Sequence, residues 1–372
     1  MKIIDIDTIR VEIGVDRRVG VVTDTKGFRF KSQIIVIVMK TDDGLVGLGE
    51  ANGSADWSGE THVGEQHIID HFLTPLLIGG DPRDIRYNMK KIEKVWANPF
   101  AKAGLEMAMW DILGKSLNTP LYRLLGGPVR PPRIPLRFAI MPVDIPSAAE
   151  VARRMVDEGC QIIKVKVGRD SAELDVARVR AVRLAVGPDV RITVDANGGW
   201  TVNEAIRASR SLEEFDVAFV EQPVNRLDLD GMAQVRNQTR LPVMADESIF
   251  TVQDAIKCIQ KGAADILSVY PGKNGGILNV MSIVSLAEAA GIHCAIGSNL
   301  EWDIASLAMA HLAVSLPNIT VERYGADIIG PLFHIQHAMV NPIDYSVGFL
   351  TVPDRPGLGA ELDMHKLNQV RI

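Results

Sequence analysis

Short apolar runs alternate with amphipathic segments from about residue 135 onwards. The runs occupy residues 134–140, 162–168, 191–197, 217–223, 241–247, 264–270 and 292–298. Between them, segments such as 147–159 and 203–215 repeat apolar residues three and four positions apart, which is the spacing of one helix face. Buried strands about 25 residues apart, each followed by a helix, are typical of a parallel β/α architecture. Seven such units and a candidate eighth strand at 318–324 predict a closed α/β barrel rather than an open sheet.

The two ends of the chain follow different patterns. Residues 1–50 alternate as antiparallel strands do, with an Asp-Asp-Gly hairpin turn at 42–44, and residues 61–116 have a helical pattern. The cluster "GGPVRPPRIP" marks a boundary near residue 128, and the β/α period ends after residue 325. We therefore predict an α+β domain over 1–128, a barrel over 129–325, and a segment over 326–372 that packs back on the first domain.

Composition and charge narrow the class of partner. The 372 residues carry a net charge of −6 without a basic tract, which disfavours nucleic acid and membrane surfaces and favours a small-molecule substrate. Cys160, Cys258 and Cys294 lie far apart without a CxxC spacing, so we predict reduced core residues. The chain begins without a signal-peptide pattern and contains no run of about 18 apolar residues, which predicts a soluble, cytoplasmic protein.

Polar residues stand at the carboxyl ends of the predicted strands, at intervals of 24 to 29 residues between Lys166 and Tyr270. They are Lys164 and Lys166 on the second run, Asp195 on the third, Glu221 on the fourth, Asp246 on the fifth and Tyr270 on the sixth. These ends form the catalytic face of a parallel barrel. One acidic residue there often caps a helix, but three carboxylates that converge require a cation. We predict a metal site of Asp195, Glu221 and Asp246 that holds Mg²⁺, with Mn²⁺ as an alternative.

Two lysines share one strand of this predicted barrel. Lys164 and Lys166 are two residues apart, so their side chains lie on the same face. In a closed barrel that face is the crowded interior rather than a solvated surface. A neutral lysine amine beside a metal-held carboxylate is suited to remove the α proton, and the metal would stabilise the charge of the enediolate that forms. The pattern therefore predicts Lys166 as the base in a reaction at the carbon next to a carboxylate.

The motifs "KVKVG", "VDAN", "VEQP" and "ADES" at this spacing resemble the enolase superfamily, specifically its muconate lactonizing enzyme subgroup. "GLGEA", "GLEMAMWDILGKSLNTPLYRLLGG" and "PDRPGLGAELD" extend the resemblance over nearly the whole chain. It implies a (β/α)7β TIM-like barrel under an α+β capping domain, with Mg²⁺ on the three carboxylates. It also implies that Lys166 is the acid/base, that Lys164 lies near the substrate carboxylate, and that Glu301 belongs to the site. A homo-oligomer is the expected assembly.

The sixth strand departs from the subgroup's pattern. Relatives place a second active-site lysine at the end of this strand. Three residues later they have another lysine, which is followed by Gly-Gly. Here Tyr270 takes the first place and Lys273 the second, so we interpret Lys273 as a loop residue that shapes the turn. An unperturbed tyrosine is a poor base at neutral pH. One-base chemistry is therefore favoured, first a muconate-type cycloisomerisation or a related reaction.

Other reactions and subgroups remain as alternatives. They are the β-elimination of water from an acid sugar or hydroxy acid, racemisation or epimerisation by Lys166 with Tyr270, and, more distantly, carboxylate binding without catalysis. The mandelate racemase subgroup resembles the sequence less well, because its catalytic histidine ends the seventh strand whereas His293 stands at the strand's start.

Loops of the capping domain would close the site by the same resemblance. The candidate loops are residues 15–31 and 51–60. Five cations of the first loop could meet a second substrate carboxylate or remain solvated: Arg17, Arg18, Lys26, Arg29 and Lys31. Trp57, in the second loop, packs on the substrate or on the barrel rim. We assign Trp57, Glu301 and Asn197 of the "VDAN" motif to substrate binding.

Overall fold

A computed structural model describes residues 1–16, 22–24, 27–29, 31–346 and 348–372. The chain opens with an antiparallel sheet in which β4 lies between β1 and β5. The first five strands are β1 (Ile3–Gly14), β2 (Val22–Asp24), β3 (Gly27–Arg29), β4 (Lys31–Thr41) and β5 (Val46–Ala51). Gly44 in the β4–β5 turn has φ of 87°, a conformation that glycine adopts without steric cost. The predicted Asp-Asp-Gly hairpin is confirmed.

Helices cover this sheet on one face. They are α1 (His62–Ile68), a π-helical turn (Ile69–Leu73), α2 (Thr74–Leu77), α3 (Ile85–Ile92), α4 (Pro99–Ser116) and α5 (Leu121–Leu124). The longest, α4, crosses β5 at backbone contact, since a Cβ on Gly49 would lie 1.9 Å from the carbonyl oxygen of Gly104. The two glycines therefore allow the helix to pack directly on the sheet.

A curled parallel sheet of seven strands follows, with neighbours in chain order. After the short β6 (Arg133–Pro135), its strands are β7 (Arg137–Ile140), β8 (Ile162–Lys166), β9 (Arg191–Asp195), β10 (Val217–Glu221), β11 (Val243–Ala245), β12 (Ile266–Val269) and β13 (His293–Ile296). Each coincides with one apolar run of the sequence, because a strand covered on both faces has no polar side to expose. The predicted α/β barrel fold with an α+β cap is confirmed.

Helices alternate with these strands on the outside. They are α6 (Ile145–Asp157), α7 (Ala172–Val186), α8 (Val202–Leu212) with a 3₁₀ turn (Glu213–Phe215), α9 (Leu229–Gln238), α10 (Val252–Gln260), α11 (Pro271–Asn274), α12 (Ile277–Ala289), α13 (Asp303–Ser315) and α14 (Val321–Tyr324). Side-chain caps begin several of them; Thr201 and Thr251 each form a capping box at the start of α8 and α10.

The predicted eighth strand at 318–324 is wrong in its secondary structure. Ile319 forms a single parallel bridge with Cys294 of β13, and Ala326 forms one with Leu136 beside β7. The residues between the two bridges form α14 instead of a strand. Two backbone hydrogen bonds form each bridge: Cys294 N–H to Asn318 O and Thr320 N–H to Cys294 O on one side, and Ala326 N–H to Pro135 O and Arg137 N–H to Ala326 O on the other. Asp327 follows directly after the second bridge.

The C-terminal segment adds α15 (Gly330–Phe333), β14 (Asp344–Ser346), β15 (Phe349–Thr351) and α16 (Met364–Val370). It contacts the first strand of the chain, because His334 bridges Val15 and Arg371 bridges Val11. The domain boundaries at 128 and 325 stay predictions. The three cysteines are free and buried, as predicted. Within the described ranges, none of the helices has the length and apolarity to cross a membrane.

Candidate active site

Four predicted site residues lie at the carboxyl ends of adjacent strands. Lys166 ends β8, Asp195 ends β9 and Glu221 ends β10, while Asp246 follows the last residue of β11. The strand register pairs Lys166 with Asp195 and Asp195 with Glu221. For Lys166, Asp195 and Glu221 the regular spacing therefore corresponds to one height on one face of the barrel, whereas Asp246 lies two residues beyond Met244, the partner of Glu221.

The two lysines of β8 have different environments. Lys166 Nζ lies 2.5 Å from Asp195 Oδ2 and 2.8 Å from Asn197 Oδ1. Its side chain keeps 19% of its surface exposed, and Asn197 is exposed as well. Lys164 is buried below it, where its ammonium group pairs with Asp327 and lies 3.4 Å from Asp195 Oδ2. Of the two amines, only that of Lys166 faces the open side of the site.

For Lys164 and Asp195, burial and the neighbouring charges of opposite sign shift the pKa in opposite directions. Burial alone would lower the pKa of Lys164, but Asp327, Glu221 and Asp195 outweigh it and raise that pKa above its ordinary value. Burial alone would raise the pKa of Asp195, but Lys166 and Lys164 outweigh it and lower that pKa to about 2. Burial, and then the charge of Asp195, raise the pKa of Glu221 to about 7. Lys164 therefore stays a cation. The positive charges near Glu221 are too weak to offset its burial and the charge of Asp195.

The donor set fits a hard divalent cation in its chemistry. Glu221 Oε2 is buried and accepts no hydrogen bond, as is also true of Glu247 Oε2. Asp195 and Asp246 instead contact the ammonium groups of Lys166 and Lys273, each at 2.5 Å. Across the described ranges, no three His, Cys, Asp or Glu side chains are arranged to hold one ion as they lie. Asp195, Glu221 and Asp246 are the residues that would hold such a cation, and lysines contact two of these three carboxylates in the present arrangement.

Lys273 is not the turn-shaping loop residue that the sequence suggested. It lies in α11 and is fully buried, and its ammonium group donates to Asp246 Oδ1 at 2.5 Å, Asp246 O at 2.9 Å and Ser268 O at 2.9 Å. Asn274 shapes the turn instead, since its Oδ1 accepts from the Tyr270 N–H and its Nδ2 donates to Ile249 O. The lysine side chain is long enough to run back from the turn into the barrel, where it holds Asp246.

Tyr270 is fully buried next to this pair. The Trp57 indole Nε1–H donates to its phenol oxygen at 3.0 Å, and Lys273 Nζ lies 5.0 Å from its ring centroid. Burial, and then the charges of Asp246 and Glu301, raise the pKa of Tyr270 well above its ordinary value. Because β12 and β8 are separated by three strands of the ring, Tyr270 faces Lys166 across the barrel. The end of β12 therefore carries a buried phenol whose ionisation is disfavoured by burial and by the nearby carboxylates.

The other predicted substrate-binding residues lie around the same face. Glu301 is buried, and it accepts from Ser298 Oγ at 2.6 Å and from Asn299 N–H at 2.8 Å. Burial raises the pKa of Glu301 to about 7. Asn197 joins two groups of the site, since it accepts from Lys166 and donates through Nδ2 to Glu247 Oε1 at 2.9 Å.

Three residues near the site were missed by the sequence interpretation. Asp327 pairs with Lys164, but it follows a helical turn where a regular strand was expected, so no spacing rule located it. Arg137 is fully buried within 3.7 Å of Asp327 and 3.8 Å of Glu221. A charged residue inside the apolar run "LRFAI" was a signal for it. Glu247, buried next to Asp246 in "ADES", could have been found by adjacency alone.

Several other candidates lie outside this cluster. His293 begins β13 at the amino end, and its ring packs against Tyr324 at 6.2 Å, away from the carboxylates. Lys31 forms an ion pair with Glu12 at the surface. Arg17, Arg18 and Lys26 lie outside the described residues, as does the side chain of Arg29.

The segment 52–60, which we call the Trp57 loop, is attached to the barrel from several sides. Arg226 Nη1 donates to the Trp57 carbonyl at 2.8 Å, and Asn299 Nδ2 donates to the Asn52 carbonyl at 2.7 Å. On the capping side, Glu65 Oε1 accepts from Gly53 N–H at 2.8 Å. The loop thereby spans the capping sheet and the carboxyl end of the barrel.

Glu65 makes the stability of this attachment depend on pH. Burial, and then the charge of Glu60, raise the pKa of Glu65 from 4.5 to about 8. A carboxyl whose folded pKa is raised stabilises the fold below its unfolded pKa, and that contribution is lost as the pH rises through the folded pKa. We expect the wild type to lose more stability than Glu65→Gln between pH 5 and pH 8, by more than about 1 kcal/mol. Urea unfolding of both proteins at the two pH values measures this, and parallel losses would contradict it.

A barrel with carboxylates on three successive strand ends, lysines on the strand before them and a covering α+β domain defines the class of enolase-type enzymes. Residues 6–126 match the mandelate racemase / muconate lactonizing enzyme N-terminal domain, and residues 147–366 match the enolase C-terminal domain-like family. The chain belongs to the enolase superfamily, within its mandelate racemase and muconate lactonizing enzyme family, and is an enzyme of that superfamily.

Similar proteins include both racemases and cycloisomerases. The N-succinyl-L-Arg/Lys racemase of Bacillus cereus is 36% identical over 344 residues, which are 91% of this chain and 90% of that protein. Muconate cycloisomerase 1 of Pseudomonas putida is 33% identical over 338 residues, 90% of this chain and 89% of that protein. The crystal structure of muconate lactonizing enzyme from Pseudomonas fluorescens with muconolactone has a TM-score of 0.94 at 32% identity, and covers 100% of this chain and 99% of that one.

Proposed function

We propose that this enzyme catalyses a one-base reaction at the carbon α to a substrate carboxylate. Lys166, the more exposed amine of β8, removes the α proton, and Lys164 supplies a fixed positive charge next to the substrate carboxylate. Mg²⁺ held by Asp195, Glu221 and Asp246 would supply positive charge that stabilises the enediolate. Asn197 keeps Lys166 in place, Glu301 lines the opposite side of the substrate, and Trp57 donates a hydrogen bond to Tyr270 there.

The observation that carries this proposal is the position of Tyr270, which is fully buried after the last residue of β12, with three strands between β12 and the strand of Lys166. Two-base racemisation needs a base on each face of the substrate. The ionised form of Tyr270 is disfavoured by full burial and by the nearby carboxylates. A phenol that keeps its proton acts as a hydrogen-bond donor or an acid, so Tyr270 is unsuited to be the second base.

The overall reaction that this pair supports best is β-elimination of water from a hydroxy carboxylate. Lys166 takes the α proton, and the electrons of that C–H bond pass into the carboxylate to give the enediolate. When the enediolate collapses, these electrons form the Cα=Cβ double bond as the Cβ–O bond breaks. Tyr270 gives its proton to the departing hydroxide, which leaves as water. Proton exchange with solvent then returns Lys166 to its neutral form and Tyr270 to its protonated form.

A second candidate reaction is a muconate-type cycloisomerisation. It also needs proton transfer at one face only, and it is the reaction named for the Pseudomonas putida relative. Tyr270 would then orient the substrate without giving up its proton. Overall similarity does not separate the candidates, since the Bacillus cereus relative with 36% identity is named a racemase.

Tyr270→Phe separates these reactions from a two-base mechanism. We expect the variant to retain exchange of the α proton within about tenfold, because Lys166 is unchanged, while formation of the elimination product falls by about 10²- to 10⁴-fold. Proton NMR in D₂O, with Mg²⁺ present and then chelated, measures exchange and identifies products over hydroxy acids, muconates, N-acylamino acids and dipeptides.

Three outcomes would count against parts of this proposal. If Tyr270→Phe abolished exchange for one enantiomer and spared the other, Tyr270 would be a second base. If cycloisomerisation of a muconate persisted in the variant at near the wild-type rate, the second candidate would replace elimination. If the wild type exchanged no proton in any carboxylic acid of the panel, the result would favour a binding protein over an enzyme with this chemistry.

A further inference from the structure

We propose that Trp57 is a positioning residue that fixes the hydroxyl proton of Tyr270 and stabilises the phenolate formed when that proton is given up. The inference deepens the proposed function and rests on Tyr270 acting as the acid. It begins from one contact, the 3.0 Å hydrogen bond from the Trp57 indole N–H to the phenol oxygen. The two residues belong to different parts of the fold, since Trp57 lies in the loop after β5 and Tyr270 follows β12.

The chemistry of the two groups determines what this hydrogen bond does. An indole N–H can only donate, whereas a phenol oxygen can accept and also carries one proton. Trp57 therefore occupies a lone pair of the Tyr270 oxygen and leaves the O–H free to donate to another group. When that proton leaves, the oxygen becomes negative, and a hydrogen bond to an ionised acceptor is stronger than one to a neutral acceptor. Trp57 thus stabilises the reacting form more than the resting form.

Both partners are held in place independently of each other. The Trp57 carbonyl accepts from Arg226 at 2.8 Å, which fixes the loop to the β10–α9 connection. The Tyr270 ring is fully buried, with Lys273 at 5.0 Å from its centroid and the Phe100 ring centroid at 6.4 Å. Because neither group depends on the other for its location, removing the indole N–H should leave Tyr270 in the site with its hydroxyl undirected.

Trp57 is half-buried and belongs to a loop, so its hydrogen bond to Tyr270 depends on the position of that loop. The indole belongs to the Trp57 loop, whereas the phenol belongs to the barrel. Tyr270 therefore accepts this hydrogen bond only while the loop is packed on the barrel. The α-proton step on Lys166 does not involve this contact. Loss of the indole N–H should therefore slow product formation and spare proton abstraction.

Trp57→Phe tests this role, since phenylalanine keeps an aromatic ring and lacks the donor. We expect kcat for product formation to fall by about 10- to 100-fold, the loss of one hydrogen bond to a developing charge. We expect KM to change by less than about threefold and α-proton exchange by less than about twofold. The double variant Trp57→Phe/Tyr270→Phe should be no slower than Tyr270→Phe, because the indole acts through the phenol.

Trp96→Phe is the matched control, because Trp96 is 90% exposed and lies outside the Trp57 loop. It should leave kcat, KM and exchange unchanged. Equal slowing of exchange and product formation in Trp57→Phe would overturn the proposal, as would an additive loss in the double variant. Either result would identify Trp57 as a substrate contact or a structural residue.

A second measurement does not depend on turnover. The chain has five tyrosines, so ¹³Cζ-tyrosine labelling gives few signals, and the one lost in Tyr270→Phe identifies Tyr270. We expect that signal to shift in Trp57→Phe and to stay in place in Trp96→Phe. An unmoved signal would overturn the inference directly. If the signal shifts but no carboxylate is turned over by the wild type, the positioning contact stands and the proposed function fails.

Discussion

Lys166→Met should abolish exchange of the substrate α proton, with a loss of about 10⁴-fold. Lys166 is the amine of β8 with an exposed surface, whereas Lys164 is buried and held as a cation by Asp327. The methionine side chain has a similar length and no proton-accepting group. Asp195 keeps Lys164 at 3.4 Å in the variant, so it retains a cation nearby. Deuterium incorporation followed by NMR in the presence of Mg²⁺ measures the loss.

The matched control is Lys257→Met. Lys257 is 65% exposed on α10 and has one ion pair, at 3.9 Å to Asp254, of a kind that contributes little to stability. We expect exchange at the wild-type rate in this variant, and unchanged circular dichroism in both. Exchange above about 1% of the wild-type rate in Lys166→Met would assign the base to another residue.

Lys273→Met should destabilise the fold by about 3 to 5 kcal/mol, as expected when one partner of a buried ion pair is removed. Lys273 is fully buried, and it donates to the carboxylate and carbonyl of Asp246 and to the carbonyl of Ser268. Methionine fills a similar volume but leaves the Asp246 carboxylate in the interior without that ammonium group. Urea unfolding at pH 7 measures the change in free energy.

The double variant Asp246→Asn/Lys273→Met distinguishes loss of the ion pair from loss of packing. Asparagine removes the negative charge, so the double variant should be more stable than Lys273→Met alone, although two carbonyls still lack their donor. A cost below about 1 kcal/mol for Lys273→Met would restore its interpretation as a turn residue. A double variant less stable than Lys273→Met would show that the unpaired charge of Asp246 is not the cause of the lost stability.

The sequence was most informative where one short segment carries the signal. Each of the seven barrel strands, three to five residues long, lies within one of the seven predominantly apolar runs between residues 134 and 298. The line of Lys166, Asp195 and Glu221 was predictable because parallel strands that pair in register repeat the same height once per β/α unit. Tyr270 stood out for the same reason, as the residue that takes a place where the subgroup has a lysine.

The sequence was least informative where side chains fold back or the backbone departs from its period. Lys273 follows a turn, and spacing along the chain did not reveal that its side chain returns to Asp246 inside the barrel. Asp327 follows a helical turn where an eighth strand was expected. For both residues, the position of the Cα along the chain was known, but the direction of the side chain was not.

Local periodicity specifies the strands and helices of the barrel and its cap, and one repeating β/α unit specifies the series of polar residues on one face. Which of those residues contact each other follows only from the packing of segments that are distant in the chain. The bond from Trp57 to Tyr270 joins residues 213 positions apart, and the pair of Lys164 with Asp327 joins residues 163 apart. Such contacts depend on how the cap and the last barrel segment pack against the strands, and no local pattern in the chain encodes that packing.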